Sequence, residues 1–272
     1  MTTYESIRVE RAAGIAEVSL LGPGKGNAMG PAFFKELPEL FTALDRDDSV
    51  RAVIVRGDKG IFSYGLDLKA MAGALMPHLA PGNLAAERSR LLDLIMDLQR
   101  GFDAVERCRK PVIAAIAGSC IGGGVDLISA CDIRIAARDA RFSVREVKVA
   151  IVADLGSLAR LPRIIGHGHT RELAFTGKDI DAERALRIGL INDLYDDETT
   201  VLDAARKLAR EIADNPAVVV QGIKQVLAFG EGHSVADAER FVAVWNAAFL
   251  ASTDVSEAIQ AFAERRAPKF ST

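Results

Sequence analysis

Several common chemistries are excluded by what the 272-residue chain does not contain. Its three cysteines, Cys108, Cys120 and Cys131, are odd in number and lack CxxC or Cys/His spacing. No zinc site or disulfide framework is indicated, and reduced, buried thiols are expected. The four histidines, His78, His167, His169 and His233, form no HExxH arrangement, and there is no GxSxG nucleophile elbow. Structural or loop positions are expected for all four, and no metal. The GxGxxG fingerprint and the Gly-Lys-Ser/Thr of a P-loop are also missing, which sets aside dinucleotide and ATP sites. No apolar run approaches the roughly 18 residues needed to cross a bilayer. The formal charge is only −3, with Lys and Arg scattered among Asp and Glu, so neither a nucleic acid nor a membrane partner is expected. Met1 to Glu10 contains no apolar signal region, and the final Phe270, Ser271 and Thr272 do not form a Ser-Lys-Leu address. The expected compartment is the cytoplasm.

With 49% hydrophobic and 26% charged residues, the chain can bury a core suited to one large domain or a domain with an appendage. β-Branched residues concentrate in Ile15 to Leu20, Ala52 to Arg56, Val112 to Ile116 and Ile133 to Ala136, each ended by Gly, Pro or Asp, and these read as strands. Between them, Phe33, Leu37, Leu40, Phe41 and Leu44 recur at helical spacing, as do Leu91, Leu94, Ile95, Leu98 and Phe102. Such alternation implies an α/β fold. After about Leu194 the strand signals stop. Val201 to Ala213, Val218 to Ala228, Val235 to Leu250 and Val255 to Arg265 all read as helices, so 1–195 is taken as the core and 196–272 as a helical region. The apolar content of that region requires it to pack on the core or on another subunit.

Two segments suggest chemistry. In residues 111–132 a buried strand leads into Ile121-Gly122-Gly123-Gly124-Val125-Asp126-Leu127. Glycines permit close backbone approach, and a helix starting there adds free N–H groups and a positive dipole end, a cradle suited to an enolate oxygen. The same glycines also suit an ordinary tight turn. In the second segment, Phe62-Ser63-Tyr64-Gly65-Leu66-Asp67-Leu68 leaves the strand ending at Arg56 and enters a helix near Asp67, placing the Leu66 amide at another helix start.

These two segments resemble the two glycine-containing loops of the crotonase (enoyl-CoA hydratase/isomerase) superfamily. The resemblance extends to Lys25-Gly26-Asn27-Ala28-Met29, to Glu146, to Leu161-Pro162-Arg163-Ile164-Ile165-Gly166 and to the ending Glu264 to Phe270, so it covers nearly the whole chain. It implies a spiral of ββα units followed by helices that assemble homotrimers or homohexamers, an acyl-CoA thioester substrate, and no cofactor other than the coenzyme A carried by that substrate. It also implies an oxyanion hole made by the amides of Leu66 and Gly123. Asn27, Ala28, Gly65, Leu66, Asp67, Leu68, Gly122 and Gly123 are implied to contact the substrate, with Lys269 and Phe270 in a tail that reaches the nucleotide end of CoA in a neighbouring subunit.

Members of the superfamily share the hole and differ in their acids and bases, so the carboxylates decide the reaction. Asp126, Glu146 and Asp154 are the candidates. Each has a plainer explanation: Asp126 favouring a helix N-terminus, Glu146 as a solvated loop residue, and Asp154 capping a helix around Ser157 to Leu161. Hydratases resemble one another in having Glu at the position of Asp126 and Pro-Gly-Ala-Gly-Gly at the position of Ala153 to Ser157, and the chain departs from both. In these positions it is similar to the 3,5-dienoyl-CoA to 2,4-dienoyl-CoA isomerases. That similarity implies Asp154 as the base at carbon 2, Glu146 as the acid serving carbon 6, and Asp126 as an auxiliary that orients or tunes Glu146. An enoyl-CoA hydratase tolerating Asp126 is one alternative. A non-catalytic or RNA-binding protein of the same fold is another, disfavoured by the mild negative charge and the retained carboxylates.

Overall fold

Chain reversal begins at a two-residue hairpin. Ala13 and Gly14 both have positive φ (49° and 78°), the mirror-image turn whose twist matches that of paired strands. It joins β1 (Ile7–Ala12) to β2 (Ile15–Leu20). The structure is a computed structural model and describes residues 3–22, 25–78 and 85–270. Met1, Thr2, Ser271 and Thr272, on which part of the targeting expectation rests, lie outside the described residues.

After α1 (Pro31–Arg46), a repeating unit builds the core. β3 (Ala52–Arg56) is followed by the 57–67 loop and α2 (Leu68–Leu75), and α3 (Ala85–Arg107) comes next. β4 (Val112–Ile116) is followed by β5 (Ser119–Ile121) and α4 (Gly123–Ser129). β6 (Ile133–Ala137) is followed by β7 (Arg141–Ser143), a 3-10 turn over Glu146–Val149 and α5 (Ser157–Thr176), which is interrupted at Gly166. In each of the last two units the first strand joins a six-stranded sheet ordered β1-β2-β3-β4-β6-β9, with β9 at Asp193–Tyr195. The second strand joins a small sheet ordered β5-β7-β8, with β8 at Ile180–Asp181 followed by α6 (Ala182–Arg187). The 57–67 loop takes the equivalent place in the first unit, because Ser63 pairs with Cys120 of β5 in a parallel bridge. This is the expected spiral of ββα units. β2, β3, β4, β6 and β9 run parallel and are covered on both faces, as parallel strands require.

Alternation along the strands assigns the faces. Ile54, Ile113, Ala115 and Ile135 pack with Val201, Ala205 and Ala209 of α7 (Glu198–Ala213). Val53, Val55, Val112, Ala114 and Ile116 point the other way, into the larger core with Phe33, Leu37, Phe41 and Phe102 of α1 and α3. The first helix after residue 195 is thus part of the sheet's own packing. α8 (Ala217–Gly230), α9 (Val235–Phe249) and α10 (Thr253–Glu264) follow. They leave large apolar side chains exposed, among them Ile223, Leu227, Phe249 and Phe262.

Candidate active site

The local hydrogen bonding isolates two backbone amides. Ser63 N–H donates to Ser119 O, and Ile121 N–H donates to Ser63 O, both at 2.9 Å, stitching the 57–67 loop onto β5. On the loop's other side Met29 N–H donates to Gly65 O (2.8 Å) and Asp67 N–H donates to Met29 O (3.0 Å). In a parallel bridge the residue between the two bonded positions turns its own N–H the opposite way, so the amide of Leu66 faces away from Met29. Gly122 N–H is used by Ser143 O (2.9 Å), and Gly123 opens α4, where the first amides have no intrahelical acceptor. Among the described residues neither Leu66 N–H nor Gly123 N–H has a hydrogen-bond partner. They are neighbours, because a Cβ on Gly123 would lie 3.5 Å from Leu66 N.

Glycine is required where the two loops touch. Gly65 has φ +81°, and a Cβ there would meet Ile121 O at 2.6 Å and Gly123 N at 2.8 Å. Gly122 has φ +52°, and its Cβ would fall 3.0 Å from Glu146 Oε1. An L side chain is disfavoured at both positions by conformation as well as by space. Asn27 holds this arrangement from behind: its side-chain amide donates to Ile61 O at 2.6 Å and Asp58 O at 3.0 Å, while Ser63 Oγ donates to Asn27 O at 2.9 Å. Asp67 caps α2, accepting from Ala70 N–H at 2.9 Å.

The free amides open into a cavity of about 120 Å³. Its lining includes Leu66, Leu68, Gly122 and Gly123 together with Asp126, Glu146 and Asp154. Three elements converge there: the first turn of α4 supplies Asp126, the 3-10 turn supplies Glu146, and the irregular stretch before α5 supplies Asp154. Tyr64, Ile121, Val149, Ile151 and Leu155 make the remaining wall mainly apolar, and Arg145 sits at its edge, ion-paired to Asp179. The sequence pattern did not single out these wall residues, although apolar side chains clustered around Glu146 in an otherwise loop-like stretch are a usable signal.

Burial governs the carboxylates. Asp126 is 1% exposed, and its Oδ1 accepts from Ser157 N–H at 2.6 Å. Asp126, not Asp154, therefore serves the start of α5, whose N-cap residue is Gly156. Desolvation raises Asp126 to about 6, the hydrogen bond from Ser157 N–H opposes this, and the charge of Asp154 adds to it. Glu146 is raised to about 7, first by burial and then by the charges of Asp126 and Asp154. Asp154 is also raised, by burial, with its own amide offsetting part. Among the described residues Asp126 Oδ2 and Glu146 Oε2 have no hydrogen-bond partner. Near neutrality the site can therefore contain a carboxylate that accepts a proton and a carboxylic acid that donates one. Among the described residues no group of three or more His, Cys, Asp or Glu is arranged to hold a metal ion.

Other site candidates lie elsewhere. Asn27 and Asp67 are buttresses next to the cavity, and Ala28 and Gly65 back the loop between them; none of the four is in its lining. Lys269 and Phe270 also lie outside it, with the tail folded back on α10 by a hydrogen bond from Lys269 N–H to Glu257 Oε1 (2.7 Å).

The family model described as enoyl-CoA hydratase/isomerase matches residues 10–272. The chain belongs to that family. It is 41% identical to the mitochondrial Delta(3,5)-Delta(2,4)-dienoyl-CoA isomerase of Dictyostelium discoideum over 99% of this chain and 92% of that protein. It is 43% identical to the mitochondrial protein of the same name from Homo sapiens, over 97% of this chain and 81% of the relative. An enoyl-CoA hydratase from Bacillus anthracis has a crystal structure that superposes with a TM-score of 0.88 at 30% identity, covering 98% of this chain and 99% of that one. The sheet and helices described above are the frame shared with that structure.

Proposed function

We propose that the chain converts a 3,5-dienoyl-CoA into the conjugated 2,4-dienoyl-CoA. The observation that carries this reading is the convergence of two unbonded amides and three carboxylates on one mainly apolar cavity. It is supported by the names of the relatives at 41% and 43% identity. The thioester oxygen sits between Leu66 N–H and Gly123 N–H. Asp154 removes a proton from carbon 2, the thioester and its conjugated diene carry the resulting negative charge as a dienolate, and Glu146 delivers a proton to carbon 6. Asp126 is buried and bonded to the α5 amide, so its part is to hold its charge beside Glu146 and keep that acid protonated.

Hydration needs a water positioned between two acids that act on adjacent carbons. The departure at Asp126 and Asp154 disfavours that arrangement. The test is a spectrophotometric assay with 3,5-dienoyl-CoA, watching the conjugated product appear, beside crotonyl-CoA as a hydratase substrate. Turnover of the diene that is lost in Asp154→Asn supports the reading. Efficient hydration of crotonyl-CoA without diene turnover overturns it.

The exposed Ile223, Leu227, Phe249 and Phe262 on the last three helices support a homotrimer or homohexamer, in which the Lys269–Phe270 tail meets the CoA nucleotide of a neighbour. CoA enters as part of the substrate, with no separate cofactor. No helix among the described residues is long and apolar enough to cross a membrane. The proposed compartment is the cytoplasm, whereas the relatives named above are mitochondrial. Cell fractionation decides between them.

A further inference from the structure

Asp154 occupies the least regular stretch of the site. From residue 152 to residue 156 no backbone amide donates to a backbone carbonyl among the described residues, the last such bond being Ile151 N–H to Glu146 O (3.1 Å). Ala153 and Leu155 are buried on either side. Between them the peptide is held by a side chain from a distant helix: Gln99 of α3 donates from Nε2 to Asp154 O at 2.6 Å. Two residues farther along, Gly156 lies against Arg160, whose Nη1 would be 1.8 Å from a Cβ at that position. Arg160 is itself held by α3, through Asp103 at 2.9 Å and Glu106 at 2.7 Å. Successive turns of one helix thus hold this segment at Asp154 directly and at Gly156 through Arg160.

We propose that Gln99 is a positioning residue for Asp154, fixing the peptide from which the carboxylate projects and so its approach to carbon 2 of the substrate. This rests on the assignment of Asp154 as the base. Gln99 does not line the cavity and touches no reacting atom. Its effect is geometric: releasing the Asp154 carbonyl lets the peptide rotate, and a base displaced by about 1 Å can lose on the order of 10²-fold in rate. The adjacent carboxylates are held by other elements, Asp126 by α4 and Ser157, and Glu146 by the 3-10 turn. Loosening Gln99 therefore selects the carbon-2 step.

The variant Gln99→Met keeps the length and the apolar stem and removes the side-chain amide that donates to Asp154 O; Arg100→Ala, an exposed neighbour on the same helix, is the control. Turnover of 3,5-dienoyl-CoA and the isotope effect with substrate deuterated at carbon 2 are measured for each, alongside thermal melting. The expected result is a kcat lowered about 10- to 100-fold at little-changed KM, a larger isotope effect than wild type, and a control indistinguishable from wild type. An unchanged kcat and isotope effect in folded Gln99→Met overturns the proposal. So does a loss of activity that follows melting with no change in isotope effect, since that is a stability role. A Gln99→Met too unstable to assay is replaced by Gln99→Asn, read against the same outcomes. If wild type does not turn over the diene, it is the proposed function that fails, and the two failures are told apart by that first measurement.

Discussion

A single methyl group on Gly65 tests the amide pair without touching any catalytic side chain. No side-chain replacement can delete a backbone N–H, so the perturbation must move the loop. In Gly65→Ala the added carbon would lie 2.6 Å from Ile121 O and 2.8 Å from Gly123 N, both backbone atoms that cannot swing aside. The φ of +81° adds roughly 1–2 kcal/mol of conformational strain for an L residue. Relief comes from separating the 57–67 loop from the start of α4, which pulls Leu66 N–H and Gly123 N–H out of common reach of one oxygen. Losing one such donor costs roughly 2.7–4 kcal/mol in the transition state, a fall in kcat of about 10²- to 10³-fold. The assay is diene conjugation by absorbance, with folding checked by circular dichroism and melting. Gly73→Ala on α2 is the control, where an added Cβ meets nothing within 4 Å; about 0.5–1 kcal/mol of added stability is expected there. A folded Gly65→Ala retaining activity within about threefold of wild type would refute the role given to these amides.

Other outcomes follow from the carboxylates and the apolar helices. Glu146 has a folded pKa of about 7 against an ordinary 4.5. Its folded state therefore favours the proton, and stability present below pH 4.5 is lost as pH rises toward 7. Glu146→Gln should abolish diene turnover yet raise the melting temperature at pH 8 and leave it little changed at pH 4; equal shifts at both would contradict the raised pKa. In wild type, activity should decline as pH rises through about 7, where the donor loses its proton. Asp126→Asn retains an oxygen for Ser157 N–H but removes the neighbouring charge, so the decline should move to lower pH, as read from a kcat profile. A profile identical to wild type would remove Asp126 from the account. Phe262→Glu places a charge on the most exposed large apolar side chain among the described residues, at 88%, and should lower the molar mass seen by light scattering; an unchanged mass would contradict the proposed assembly through these helices.

Much of the frame is legible in the sequence because its signals are local. β2, β3 and β4 begin and end where β-branched runs meet Gly, Asp or Pro, and α1 and α3 follow apolar spacing. β5, β8 and β9 are two or three residues long, too short to carry a period. α5 is two helical stretches meeting at a kink where Gly166 is non-helical (φ 74°, ψ 162°), with Leu161 and Ile165 buried before the kink and Leu173 after it. The break falls at the glycine, as local propensity would place it, and not at Pro162. The candidate acids stand out by their types and by resemblance, but their connections do not. Asp126 meets Ser157 across 31 positions and Gln99 meets Asp154 across 55, distances at which chain order carries no pairing rule. For the same reason the helix-capping explanation suggested for Asp154 belongs to Asp126.

The account turns on two carboxylates dividing the work, one taking a proton and a different one giving it. Turnover of unlabelled 3,5-dienoyl-CoA in ²H₂O, with the product read by proton NMR and mass spectrometry, addresses this directly. Exchange of Glu146 with solvent before each turnover predicts one deuterium at carbon 6 of the 2,4-dienoyl-CoA. Product carrying at carbon 6 the protium that left carbon 2 would mean a single group shuttles the proton, and would contradict the separate assignments of Asp154 and Glu146.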